Sequence, residues 1–172
     1  LDQNRLNIVV LHGQESDYQG KDKTEVVNLS LLRNKYIDYL ALGHIHSFKL
    51  DRLDDRGVYC YCGCLEGRGF DECGDKGFVL LETEQGKIKS TFVPMAKRRL
   101  HEVTVEVTPD MSMPQMIEQL NEKVKDISGE DLIKIILTGE TDMETDIDVK
   151  RLMRGMEKDF FYVKCYDKTT VA

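Results

Sequence analysis

The apolar positions along this chain follow two different patterns. From Asn7 to Leu11 and from Tyr36 to Leu42 they run almost without alternation, as in strands covered on both faces. The first run ends at His12-Gly13 and the second at Gly43-His44-Ile45-His46. Val58 to Cys62, Gly77 to Leu81 and Ile88 to Val93 read as further strands, each bounded by glycine or charged residues. Gln85-Gly86 predicts a tight hairpin turn between the last two. Val26, Leu29 and Leu32 lie on one helical face, which predicts a helix over 25–33.

Beyond Pro94 to Arg99 the pattern changes. Val103, Val105 and Val107 alternate with Glu and Thr, the mark of a half-buried strand. Ser112 and Gln115 form a capping-box signature, and Met113, Met116, Ile117, Leu120, Val124 and Ile127 follow at helical spacing. Leu132 to Leu137 reads as a strand closed by Thr138-Gly139. Asp146 is placed to cap a short helix carrying Ile147, Leu152, Met153 and Met156, and Phe160 to Tyr166 reads as a final strand. The methionines at helical spacing serve as core packing. The expectation is an α+β chain of two units, 1–96 and 98–172, the second a strand–helix–strand–helix–strand domain.

Composition narrows the classes. With 172 residues, 41% of them apolar and about a third charged, the chain reads as a soluble globular protein. No apolar run approaches the ~20 residues that span a bilayer. Leu1 to Val10 carries Asp2 and Arg5 and lacks a small-residue cleavage site, so no signal peptide and no membrane association are expected. The net charge of −7 argues against nucleic-acid binding through bulk positive potential. A phosphodiester would need bound metal ions or a local cluster such as Lys97-Arg98-Arg99, a run that reads equally well as a solvated linker. Five cysteines are an odd number, with Cys60, Cys62 and Cys64 at alternate strand positions. That spacing suits neither a disulfide nor a zinc knuckle, so free thiols in the cytoplasm are expected.

The chemistry gathers at strand ends. His12 and His44 each follow an apolar run beside a glycine, and His46 stands two residues beyond His44. Imidazole is a good ligand for manganese, iron or zinc. Rings at i and i+2 on extended backbone diverge, so His44 and His46 suit two neighbouring ions better than one. Dinuclear hydrolytic sites place their ions ~3.5–4 Å apart. His101 opens a strand of the second unit and reads as structural.

Leu40-Ala41-Leu42-Gly43-His44-Ile45-His46 resembles the Gly-His-x-His motif of calcineurin-like metallophosphoesterases, and Val10-Leu11-His12-Gly13 resembles the histidine motif before it. The stretch from Tyr61 to Glu72, with Gly67-Arg68 in it, and the following Asp75-Lys76-Gly77-Phe78 are similar to the corresponding segment of bacterial DNA-repair exonucleases related to SbcD. Cys62 stands where proline is common there, and Cys64 where a small polar residue is common.

This resemblance implies the C-terminal half of a phosphoesterase β-sandwich followed by a small DNA-facing cap domain. It implies two divalent ions, manganese in the family's usual manner, with His12 and His44 on one and His46 on the other. It further implies hydrolysis of DNA phosphodiester bonds, an ATPase partner subunit and, through uncovered strands, a homo-oligomer. Arg68 is the candidate phosphate contact, although a glycine-flanked arginine serves equally as a turn residue with a surface ion pair. Tyr59, Tyr61 and Phe70 are candidates for base stacking, with core packing the plainer role. The family's Asp-x-His, Gly-Asp-x-x-Asp and Gly-Asn-His-Asp/Glu motifs occur nowhere in the chain. Its catalytic residues are therefore unidentified, and the chain reads as part of a longer protein, inactive alone. A non-catalytic module that binds DNA or an ATPase is the alternative. A small-substrate phosphodiesterase fits the cap less well.

Overall fold

A computed structural model describes residues 1–16, 24–142 and 147–171. The chain divides into two compact units, Leu1–Glu66 with Asp75–Ala96, and Gly67–Gly74 with Lys97–Ala172. The fold class is α+β.

In the first unit β1 (Ile8–His12) lies parallel to β4 (Tyr39–Gly43), which lies parallel to β6 (Val58–Tyr61); β5 (Lys49–Arg52) closes the other side antiparallel. Tyr39, Leu40 and Leu42 of β4 pack with Ile37, Leu53, Tyr59 and Tyr61 into one core. The two-face coverage expected of the apolar runs thus holds for β4. It does not hold for β1, whose Ile8, Val10 and Leu11 are exposed, Val10 at 75%. Among the described residues β1 is the end strand of its sheet, and Val9 is the β1 side chain that packs against the core.

Residues 25–33 are not a helix. Val26 and Val27 form β3 and pair with β2 (Gln14–Glu15), and a single 3-10 turn follows at Leu29–Leu31, its first N–H groups capped by Asn28. Two β-branched residues placed beside a free edge pair with it, and strand pairing overrides the helical spacing of three apolar side chains. The strand at β5 gave no apolar signal because all four of its residues are exposed. The hairpin β7 (Gly77–Glu84) to β8 (Lys87–Pro94) turns at Gln85-Gly86 as expected, both residues with positive φ as a type I′ turn requires.

The second unit is built around β10 (Leu132–Thr141), flanked by β9 (Leu100–Val107) and β11 (Tyr162–Asp167), all parallel. Parallel neighbours need crossovers, supplied by α1 (Met113–Val124) and α2 (Val149–Met156). Val103, Val105, Val107, Ile133, Ile135 and Leu137 bury one sheet face against Met116, Leu120 and Leu152 of the helices. The capping box at α1 forms as read, with the Ser112 N–H donating to Gln115 Oε1 at 2.9 Å. Asp146 lies outside the described residues; α2 is capped by Asp148, which accepts from the Arg151 N–H at 2.9 Å. β10 continues past Gly139, because a glycine with φ +99° lets β9 approach closely, and β12 (Thr170–Val171) pairs with that extension.

Unpaired apolar edges invite further pairing. The isolated 172-residue chain is expected to self-associate at high micromolar concentration, with Val10→Lys shifting it toward monomer. Light scattering on both proteins checks this, and a monomeric wild-type chain contradicts it.

Candidate metal centre

In-register pairing of β1 with β4 sets His12 directly opposite Gly43. His44 is the next residue along, so the two imidazoles meet at the ends of adjoining parallel strands. Their ring centroids lie 5.4 Å apart, edge to face. Gly43 makes this possible. A side chain there would begin 2.8 Å from His12 Nδ1, so the ring lies over a position that only glycine leaves open. His44 itself has φ +95°, a sparsely populated conformation for a residue with a side chain. Such strain recurs at functional sites.

Glu25 completes the group. Its Oε2 lies 3.3 Å from His12 Nε2 and 3.4 Å from His44 Nδ1. The donor atoms of His12, Glu25 and His44 all lie within 4.8 Å of one another, the spacing at which small side-chain movements converge three ligands on one ion. His46 stands outside that trio. Its carbonyl is held by the ammonium of Lys76, which is only 3% exposed, at 2.8 Å, and by the Cys64 thiol at 3.5 Å. Gly63 packs against the same carbonyl.

The backbone after His12 is held from below. The Tyr61 hydroxyl, fully buried, donates to the Gly13 carbonyl at 2.9 Å and accepts from the Glu15 N–H at 2.8 Å. Beside it the Glu15 carboxylate, largely buried, is paired with Lys49, which raises the lysine's pKa. Tyr59 is also buried, and burial pushes its hydroxyl up to about 12. Both tyrosines belong to the core, so neither offers a ring for stacking.

The remaining candidates lie in the second unit. Arg68 donates its backbone N–H and its guanidinium to the two oxygens of Glu72, at 2.9 and 3.0 Å. Arg98 stacks on Phe161, 3.6 Å from the ring centroid, and lies 3.7 Å from Glu130. The Arg99 N–H donates to Asp131. The Arg98 side chain and the Arg99 backbone are therefore tied into the start of the second unit, while Lys97 is exposed. His101 pairs with Asp131 at 2.9 Å, a structural role. All five cysteines are thiols outside any disulfide, and among the described residues no cysteine joins the metal-binding group.

No family model matches the chain. Over 142 residues it is 30% identical to a protein of Bacillus subtilis described as the uncharacterized metallophosphoesterase YhaO, a match covering 78% of this chain and 33% of the relative. The chain is homologous to a metallophosphoesterase. It spans about a third of that relative's length, and the relative's description names a phosphoesterase that uses a metal ion. The trio fits such an ion: two imidazoles and a carboxylate are donors that manganese, iron and zinc all accept. Among the described residues no helix is long and apolar enough to cross a membrane.

Sequence reasoning singled out His12, His44 and His46, of which the structure brings His12 and His44 together, and it did not point to Glu25. It lies thirteen residues beyond His12, on a stretch read as helix, and spacing alone carries no sign of it. The cradle at Gly43 yields a direct expectation. In Gly43→Ala the exposed His12 ring swings away from the new methyl group, since a side chain yields more readily than backbone. Thermal stability should change little, within the ~1 kcal/mol typical of point substitutions, while manganese affinity falls at least about tenfold by equilibrium titration. An unchanged affinity contradicts the role given to the glycine.

Proposed function

We propose that this chain is the metal-binding C-terminal part of a two-metal phosphodiesterase that hydrolyses DNA phosphodiester bonds, in the manner of repair exonucleases. The observation that carries the reading is the meeting of His12 and His44 at adjoining strand ends, beside an open glycine. In this reading His12 and His44 hold one ion and His46, whose backbone is separately anchored by Lys76, holds the second. Manganese is the preferred metal. When bound, the two ions would activate a water and offset the charge that develops on the phosphate. The chain's own part is to orient the imidazoles. Register and Gly43 set the first two, and Tyr61 fixes the loop that follows His12.

A nucleic-acid substrate is supported by the second unit's sheet. Tyr162, Lys164 and Tyr166 alternate with the core residues Val163 and Cys165, so they face away from the helices. Lys164 Nζ lies 4.8 Å from the Tyr166 ring and 5.6 Å from Phe70, whose ring is 6.4 Å from that of Tyr162. Exposed rings interleaved with lysines suit stacking on bases and contact with phosphates. Arg68 is retained as a phosphate contact, to be reached by exchange from Glu72. Five cysteines outside any disulfide favour work in the reducing cytoplasm, and an ATPase subunit is the proposed partner.

A non-catalytic role has one observation in its favour: the chain contains none of the carboxylate-rich motifs that would complete two coordination shells. The two readings part on one experiment, manganese-dependent digestion of double-stranded DNA by the protein from the complete reading frame. Cleavage is expected, with His44→Ala and His46→Ala each losing more than the ~10–100-fold typical of outer-shell changes. The 172-residue chain alone is expected to be inactive. Absence of cleavage by the complete protein would favour the non-catalytic role, and robust cleavage by the isolated chain would contradict the division of the site.

A further inference from the structure

We propose that Glu25 is itself a ligand to the ion held by His12 and His44, a carboxylate donor outside the histidine motifs; the proposal rests on the metal-centre reading above. The argument begins with the backbone. The Glu25 carbonyl accepts the Gln14 N–H at 3.0 Å, and the side-chain amide of Gln14, only 2% exposed, donates to the Thr24 carbonyl at 2.9 Å. Gln14 and Glu15 pair with Val26 and Val27 on the far side of that residue. Gly13, at φ +150°, permits the approach, because a Cβ there would sit 2.2 Å from the Glu25 carbonyl oxygen and 2.8 Å from Val27.

The segment that follows His12 in sequence thus grips the segment that carries Glu25. The residue gripped adopts φ +53°, a left-handed conformation that glutamate rarely takes. With the backbone held so, one carboxylate oxygen reaches both imidazoles at once, at 3.3 and 3.4 Å. The carboxylate is more than half exposed and packs into no core. Its aim at two nitrogens is therefore not a by-product of burial.

The plainer reading is a surface ion pair with a protonated imidazole. Exposed pairs of that kind stabilise proteins little, and one gives no reason for two imidazoles to flank a single oxygen. Two neutral imidazoles and one carboxylate, by contrast, form a donor set suited to a divalent transition metal. The carboxylate would also offset one of the ion's two charges.

Cobalt(II), titrated into the 172-residue chain and followed by its visible absorption, is the probe. Wild type is expected to bind one ion at this cluster, and Glu25→Gln and Glu25→Ala to weaken it at least about tenfold with an altered spectrum. Neither substitution touches the backbone hydrogen bonds that position the residue, and circular dichroism verifies that both remain folded. Glu25→Asp should recover part of the affinity, since it restores a carboxylate. His12→Ala and His44→Ala should abolish the signal. If the histidine variants lose cobalt while both uncharged Glu25 variants keep wild-type affinity and spectrum, the role of Glu25 is overturned and the histidine centre stands. If His12→Ala and His44→Ala also bind as wild type does, or no variant binds saturably, the metal-centre reading falls with it.

Discussion

The parallel, in-register pairing of β1 with β4 is the interaction on which the rest of the site depends. Side chains on a strand alternate between faces, so a shift of one residue would turn His12 to the opposite side of the sheet. The observed register places it beside Gly43, and the missing side chain there provides the space its ring occupies. β4 is held in that register by the buried faces of Tyr39, Leu40 and Leu42, and β1 follows β4 through the backbone ladder. The core of the first unit therefore acts as a positioning device for two imidazoles, and the Tyr61 hydroxyl extends that control to the backbone beyond His12.

The same strands show how burial and function divide along one element. β4 is apolar because it lies between its neighbours, and it becomes chemical only where it ends, at Gly43-His44. β1 reaches its histidine with an apolar but exposed face. In the relative from Bacillus subtilis the matched region is a third of the protein. A longer partner segment for β1 is thus compatible with both its composition and its exposure.

Much of this was legible in the sequence, and the rest was not for identifiable reasons. Continuous apolar runs ending in histidine located β1 and β4, and strict alternation located β9. The capping residues around Ser112 located α1. In each case local pattern and tertiary environment agree. Residues 25–33 failed because apolar spacing cannot sense that a two-residue strand is captured by Gln14 and Glu15. Glu25 was invisible for the same reason: its place in the site comes from that capture and from the gap at Gly13, neither of which has a local signature. The partners of Arg98 and of the Arg99 N–H, namely Phe161, Glu130 and Asp131, are distant in sequence, so local pattern carries no sign of them.

The central claim is that His12 and His44 share one ion. Pulsed electron paramagnetic resonance of manganese bound to the chain, with histidine labelled by nitrogen-15, counts the imidazoles on the metal. The account predicts couplings from two histidines at the first ion, lost together with the bound metal in His44→Ala. A bound manganese with no histidine coupling, or with couplings unchanged by that substitution, would contradict it.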